Sequence, residues 1–156
     1  MKPEIYIQPD KKIAFMSEVD TLEGIGRAWD ILDEFIKSSK HLITGNAEYL
    51  GICHDVPKSE DVSRNEMRYD AVVTVVSEAE ATKEIGVRTL SGGKYAVFLH
   101  EGPLSQLENT WHSIYTEWLP LSGEKLRDDP PYERYNTCPA ETKPANLRTE
   151  IHIPLK

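Results

Sequence analysis

Two hydrophobic patterns run along the chain and predict its strands and helices. Where apolar and polar residues alternate, or β-branched residues cluster, a strand is expected; where apolar residues recur every three or four positions, a helix with one buried face is expected. Strands are predicted over residues 4–18, 47–56, 67–76, 87–100, 132–137 and 147–155. The first of these is interrupted at residues 9–12, and the fourth is interrupted at residues 91–93. Helices are predicted after Asp20 to residue 38, and from a capping box at Ser105 and Glu108 to an end at Pro120 and Gly123.

This order of elements occurs twice in the chain. An offset of 82 places residues 13–16 on 95–98 and Trp29 on Trp111, and an offset of 80 places 68–73 on 148–153. We therefore expect an α+β fold of two tandem duplicated βαββ modules with pseudo-twofold symmetry and a central ligand cleft. Because each half is too small to be stable alone, residues 1–156 are expected to form a single domain, with lobes at about 1–80 and 81–156.

Charge and composition exclude several classes of protein. The net charge is −8 and no run of Lys and Arg is present, so direct contact with nucleic acid is not expected. No stretch approaches the ~18–20 apolar residues of a membrane span, and no apolar leader follows Met1. We expect a cytoplasmic protein without membrane contact, in which Cys53 and Cys138 stay reduced.

Signatures of metal and nucleotide binding were sought among the histidines and glycines. The five histidines do not have the spacing of metal ligands. The segment Ser91-Gly92-Gly93-Lys94 lacks the spacing of a phosphate-binding loop and leads into a strand. We therefore expect no metal ion and no cofactor.

The strongest candidate for chemistry is an acidic residue beside aromatic ones. In the predicted strand 132–137, Glu133 and Tyr135 share one face, and Tyr132 and Arg134 share the other. A carboxylate among aromatic rings suits a flat or cationic organic molecule, through charge complementarity, stacking and cation–π attraction. Partial desolvation would also suit Glu133 to act as a general acid or base.

Five segments in this order resemble the GyrI-like small-molecule-binding family: 68–75, 91–97, Trp111, 132–135 and 149–154. That family includes DNA gyrase inhibitory proteins and the effector-binding domains of AraC-type and MerR-type regulators. The resemblance implies two SHS2-like βαββ modules with a ligand pocket between them. It also implies a pocket glutamate at Glu133, with Trp111, Tyr135 and Tyr69 as pocket aromatics.

The resemblance leaves three functions open. The first is stand-alone binding of a hydrophobic or cationic organic compound for toxin or drug resistance. The second is hydrolysis of strained electrophiles, in which Glu133 would be the catalytic residue, so enzymatic activity is uncertain. The third is inhibition of DNA gyrase through protein contact. The chain resembles the stand-alone form of the family, without a DNA-binding domain.

Each candidate residue also has a purely structural interpretation. Trp111 and Trp118 lie on the apolar stripe of the second helix, where tryptophan usually belongs to the core, although Trp118 is also a candidate for the pocket rim. Trp29 is assigned mainly to the core of the first half. Asp70 and Glu150, the matched acids of the repeat, are expected to face either the cleft or water, with a solvated face favoured and arginines two residues earlier as partners.

Overall fold

The computed structural model describes residues 2–19, 22–54, 68–137 and 142–156; Asp20 and Cys138 lie outside these ranges. The strands are β1 (Glu4–Gln8), β2 (Lys11–Val19), β3 (Tyr49–Cys53), β4 (Arg68–Thr74), β5 (Gly86–Leu90), β6 (Gly93–Glu101), β7 (Tyr132–Tyr135) and β8 (Arg148–Pro154). The helices are α1 (Leu22–Ser38), α2 (Leu107–Ser113) and α3 (Leu119–Ser122). A π-helical turn, Ile114–Trp118, joins α2 to α3 in one continuous helix. The two predicted strand breaks are confirmed.

The described strands form one antiparallel sheet in the order β1-β6-β8-β7-β3-β4-β2-β5. Strands β3 and β7 pair in the centre and join the first half of the chain to the second. The order β7-β8-β6 on one side of this seam corresponds to β3-β4-β2 on the other. The predicted α+β class is confirmed, with a sheet curled into a half-barrel and a helix from each half packed on it.

The helices cover one side of the sheet, which we call the helix face. Helix α1 packs Ala28, Leu32 and Phe35 onto β2 and β4, as its apolar spacing predicts. The second helix packs Leu107 and Ile114 onto β6 and β8. Each fully buried large apolar side chain contributes roughly 1.5–3 kcal/mol to stability. These two clusters hold the helices apart on either side of the central seam.

The other side of the sheet, the inner face, buries its residues without a covering helix. Its cluster joins Ile13 on β2 and Leu90 on the neighbouring β5 to Tyr95 on β6, although β6 lies near the opposite edge of the sheet. Such contacts are possible because the sheet curls and brings distant strands together. The inner face is therefore closed by the sheet itself, and the helix face is where a ligand site between helices can form.

The second helix differs from its prediction at its start, and its predicted end at Gly123 is confirmed. It begins at Leu107, after a 3₁₀ turn over Leu104–Gln106, and the residue at its N-terminus makes no side-chain capping bond. Ser105 lies inside the 3₁₀ turn, so the α-helix does not begin at the predicted capping box of Ser105 and Glu108. Pro120 lies within the helix, after the π-helical turn, and the chain leaves the helix at Gly123 with a left-handed φ of 75°. Glycine adopts this conformation without the steric cost of a Cβ.

Candidate functional site

The central seam places Glu133 on the helix face. In the register of β3 and β7, Glu133 lies opposite Gly51, and on its other side it lies opposite Ile151 of β8. Tyr135, two residues later, points to the same face, as the alternation in the sequence predicts. Glu133 is half-buried, so its carboxylate lies at the boundary between the two halves.

Among the described residues, a tryptophan and a tyrosine each donate a hydrogen bond to one oxygen of the carboxylate. Trp111 of α2 donates its indole N–H to Oε1 of Glu133 at 2.9 Å. Tyr135 donates its hydroxyl to Oε2 at 2.8 Å. Hydrogen bonds to a charged group are the stronger ones, contributing about 1.5–3 kcal/mol each. Glu133 is therefore oriented by a strand neighbour and by a helix.

The hydrogen bonds continue across the sheet to α1. The hydroxyl of Tyr69, on β4, lies 2.8 Å from that of Tyr135, and Trp29 of α1 donates its indole N–H to Tyr69 at 3.1 Å. An indole N–H only donates, so the Tyr69 oxygen accepts from Trp29 and its proton is available for Tyr135. The result is a directed chain from Trp29 through Tyr69 and Tyr135 to Glu133, which we call the relay.

Desolvation keeps both phenols of the relay protonated. It raises the pKa of Tyr69, which is buried, above its ordinary value. It also raises the pKa of Tyr135, and the negative charge of Glu133 adds to the effect. Both hydroxyls therefore remain donors at neutral pH, and the relay ends on an acceptor, the Glu133 carboxylate.

Gly51 makes the meeting of the two tyrosines possible. Tyr69 and Tyr135 reach over β3 from β4 and β7, and their hydroxyls lie above Gly51. A Cβ at this position would overlap both hydroxyls and lie 2.8 Å from Cε2 of Tyr69. Gly51 is not among the residues predicted for the site, although a glycine inside a predicted strand is itself a signal of close approach. Trp29 was predicted to lie mainly in the core, and its hydrogen bond to Tyr69 was not predicted.

Further aromatic rings line the helices around the carboxylate. Trp29 contacts Tyr135 edge-on, with ring centroids 5.9 Å apart. Trp111 lies nearly parallel to Tyr115, with centroids 6.2 Å apart. Trp118 is further along and packs edge-on against Phe98 at 5.0 Å. The structure thus brings Glu133, Tyr135, Trp111 and Tyr69 together with Trp29, and places Trp118 outside this set of hydrogen bonds.

The matched acids of the repeat lie on the inner face, and the expectation of a solvated face is wrong for Asp70. It is 1% exposed and accepts hydrogen bonds from Ser17, from His54 at 2.5 Å and from Arg88 at 2.9 Å. Burial alone would raise the pKa of Asp70, but these partners outweigh it and hold the pKa below its usual value.

Glu150 is also partnered on the inner face. His152 lies 2.8 Å away and Asn136 donates at 2.6 Å, while the nearest guanidinium is Arg134 at 3.8 Å. The expected partner Arg148 pairs with Glu101 instead. The hydrogen bond with His152 has the largest effect, and together these bonds lower the pKa of Glu150 to about 2.

Within the described ranges, no group of three or more His, Cys, Asp or Glu side chains is arranged to hold a metal ion. Among the same residues, no helix is long and apolar enough to cross a membrane.

Fold and site together define a small α+β domain in which one carboxylate is held among aromatic side chains between two helices. The chain belongs to the family of GyrI-like small molecule binding domains, whose model matches residues 1–156.

Three relatives show where this family occurs. Probable transcriptional regulator YgiV of Escherichia coli (strain K12) is 32% identical over 111 residues, covering 70% of this chain and 68% of the relative. The SPbeta prophage protein YosT of Bacillus subtilis (strain 168) is 28% identical over 157 residues, covering 100% of both chains. The DNA gyrase inhibitor of Erwinia billingiae (strain Eb661) is 24% identical over 143 residues, covering 88% of this chain and 83% of the relative.

Solved structures share the fold at lower identity. The crystal structure of the EcmrR C-terminal domain matches with a TM-score of 0.81 and 19% identity, covering 100% of this chain and 99% of that one. In the EcmrR–DNA complex the chain spans 57% of the longer EcmrR chain. SAV2435 bound to tetraphenylphosphonium has a TM-score of 0.65 and 20% identity, with 100% and 94% covered. A hydrolase from Listeria innocua has a TM-score of 0.68 and 15% identity, with 99% and 92% covered.

Proposed function

We propose that this protein binds a small, partly aromatic organic molecule, cationic or neutral, at Glu133 between the two helices. The observation that carries the proposal is the arrangement of Glu133, whose two oxygens accept from Trp111 and Tyr135 in aromatic surroundings. A carboxylate supplies charge complementarity to a cation, and aromatic faces add cation–π attraction of roughly 0.5–2 kcal/mol each. The structure of SAV2435 with tetraphenylphosphonium, an aromatic cation, supports this choice of ligand class.

The ligand would contact both halves of the chain, and we take residues 1–156 as one domain of two lobes. The corresponding strand orders on either side of the central seam support a tandem duplication with pseudo-twofold symmetry. Each helix contributes one tryptophan to the hydrogen bonds that lead to Glu133: Trp29 begins the relay, and Trp111 donates directly to the carboxylate. Tyr69 and Tyr135 would form the floor of the cleft, and Trp118 would lie at its outer rim.

The biological role we propose is protection against a toxin or drug in the cytoplasm, by sequestration of the compound. The names of the regulator relatives favour an effector-binding function for the same fold. Direct contact with nucleic acid is not part of the proposal, because the net charge of −8 opposes binding to phosphates.

Binding of tetraphenylphosphonium to the wild type and to Glu133→Gln tests this proposal. The substitution keeps the shape of the side chain and removes its charge. We expect at least a tenfold loss of affinity by isothermal titration calorimetry, which corresponds to about 1.4 kcal/mol. The matched control is Glu101→Gln, the same change at an exposed strand end, which should bind as the wild type does. Equal affinity of all three proteins would refute a central role for Glu133.

Hydrolysis of a strained electrophile is the second candidate, and two observations favour it. The hydrolase from Listeria innocua shares the fold, and both oxygens of Glu133 accept hydrogen bonds. An ionised carboxylate in that position is suited to act as a base toward water or as a nucleophile. Product formation in multiple turnovers, lost in Glu133→Gln while ligand binding is retained, would support hydrolysis. Stoichiometric binding without product would support sequestration.

Inhibition of gyrase is the third candidate, favoured by the relative from Erwinia billingiae. It would act through a protein surface and would be insensitive to Glu133→Ala. Supercoiling by gyrase that is unaffected by excess protein would rule it out.

A further inference from the structure

Strand β1 lies at one edge of the sheet and exposes its apolar side chains to solvent. Ile5 and Tyr6 are each 46% exposed, and Ile7 is 79% exposed. One side of β1 pairs with β6, and along its other side no strand is found within the described residues. An exposed apolar edge strand offers unpaired backbone N–H and C=O groups to another strand.

The opposite edge of the sheet, β5, is different. Its apolar side chains are covered, because Leu90 is buried and Val87 packs against the first-half core. Its arginine, Arg88, turns inward to Asp70. Strand β1 carries a charge only at its first residue, Glu4, and its three central residues are exposed and uncharged. Of the two edges, β1 is the one suited to a partner.

We propose that β1 pairs antiparallel with β1 of a second copy of this chain and forms a continuous sheet across a dimer. A twofold axis perpendicular to the sheet places the helix faces of both copies on the same side. Opposite residues then point to the same face, so an even-numbered residue pairs with an even-numbered one and an odd-numbered residue with an odd-numbered one. In the register centred on Tyr6, Ile5 lies opposite Ile7 of the second copy and Glu4 lies opposite Gln8. Ile5 and Ile7 of both copies then pack against one another on one face of the sheet.

Charge complementarity selects this register over its neighbours. Centred on Tyr6, the pairing places Lys2 opposite Asp10 of the second copy, twice by symmetry. A shift in one direction places Glu4 opposite Asp10, which brings like charges together, and a shift in the other leaves Lys2 opposite Gln8. One oxygen of Asp10 already accepts from the backbone N–H of Gly92, which holds that carboxylate in place. Local attraction matters here because two chains of charge −8 repel each other.

Sedimentation equilibrium of the full chain, from about 10 µM to about 1 mM, tests the dimer in the range of a weak interface. We expect the mass to rise from 17.7 kDa toward twice that value. Ile7→Lys should reduce the association constant at least tenfold. The matched control is Leu121→Lys, the same kind of change at a residue 90% exposed on α3, which should associate as the wild type does. A wild type that stays at 17.7 kDa, or an Ile7→Lys variant that associates equally well, would overturn the proposal.

Disulfide cross-linking tests the register separately. Tyr6 faces its own copy across the twofold axis, at the short separation of directly opposite strand residues. Tyr6→Cys should therefore form a covalent dimer under mild oxidation faster than Ile7→Cys, with the wild type, which contains Cys53 and Cys138, as the background. Equal rates for the two variants, or faster cross-linking of Ile7→Cys, would contradict this register.

Discussion

At the scale of single residues, the two faces of the sheet use polar groups differently. On the helix face, the relay ends at Glu133, which is half-buried. On the inner face, His152 is 3% exposed and stacks on Tyr132, with ring centroids 4.5 Å apart. The first arrangement is suited to binding, and the second holds the sheet together.

The protonation state of His152 follows from its neighbours. Gln8 accepts from the Tyr132 hydroxyl at 3.1 Å, which identifies its other amide atom as a donor to Nδ1 of His152 at 2.8 Å. Nδ1 is then an acceptor, and Nε2 carries the proton that is donated to Glu150 at 2.8 Å. The ring is therefore neutral, and burial lowers the pKa of His152 below 6.5, against the opposing effect of Glu150.

Stability should fall as the pH drops below neutrality. Below pH 6.5 the unfolded chain takes up a proton at His152 before the folded protein does, since the pKa of His152 is lowered in the fold. The free energy of unfolding therefore decreases from pH 6.5 down to that lowered pKa, by about 1.4 kcal/mol for each unit of difference. Glu150 adds a second loss between its ordinary pKa of 4.5 and about 2. Urea denaturation at pH 7.5, 6 and 5 measures the first loss.

In His152→Gln, the free energy of unfolding should no longer change between pH 7 and pH 5, and it should be lower overall than in the wild type. The control is His112→Gln, at an exposed histidine of α2, which should keep the slope of the wild type. If the free energy of unfolding of His152→Gln still falls with pH as in the wild type, other groups cause the pH dependence.

At the scale of elements, strand β3 pairs with β7 at the seam between the halves. It also contains Gly51, over which the two tyrosine hydroxyls of the site meet. Helices α1 and α2 flank the seam, and each directs a tryptophan N–H toward it. Position 51 must therefore lack a side chain, because the two tyrosine hydroxyls occupy the space of a Cβ.

Gly51→Ala should break the relay and reduce ligand affinity. The new Cβ would overlap the hydroxyls of Tyr69 and Tyr135, and overpacking of this kind costs about 1–3 kcal/mol. Urea denaturation gives the loss of stability, and titration with tetraphenylphosphonium gives the loss of affinity.

Gly26→Ala provides a control of opposite sign. A Cβ at Gly26, in α1, has no heavy atom within 4 Å. Alanine is the better helix former, so this change should raise stability by about 0.5–1 kcal/mol. A Gly51→Ala variant as stable as the wild type would show that the tyrosines move apart without cost.

At the scale of the whole molecule, the site depends on both halves at once. The relay begins on α1 and β4 in the first half and ends on β7 in the second. Neither half holds the complete set of donors around Glu133. The two lobes must therefore keep their relative position for the site to exist.

A double-mutant cycle measures this coupling between halves. Tyr69→Phe removes the hydroxyl that lies between Trp29 and Tyr135, and it should weaken binding of tetraphenylphosphonium severalfold. In the Glu133→Gln background the same change should have less effect, with a coupling energy of about 0.5–3 kcal/mol. Additive losses would indicate that Tyr69 acts on the ligand without the relay. The exposed Tyr6→Phe serves as the control for loss of a phenol hydroxyl.

Much of the fold could be predicted from local pattern. The spacing of Ala28, Leu32 and Phe35 predicts the buried face of α1, and alternation places Glu133 with Tyr135. Local pattern failed at Asp70, because the strand order that brings His54 and Arg88 to this acid cannot be read from neighbouring residues. It also failed at the start of α2, where the chain forms a 3₁₀ turn before the helix.

The sequence by itself determined the class of fold, the elements and the family, because hydrophobic periodicity and motif order are properties of neighbouring residues. Only the tertiary structure decided which polar groups meet. The relay joins residues as far apart as Trp29 and Tyr135, and it depends on the pairing of β3 with β7 and on space above Gly51. The exposure of β1 is likewise decided by strand order, since residues of the same apolar character are buried in a central strand and exposed at an edge.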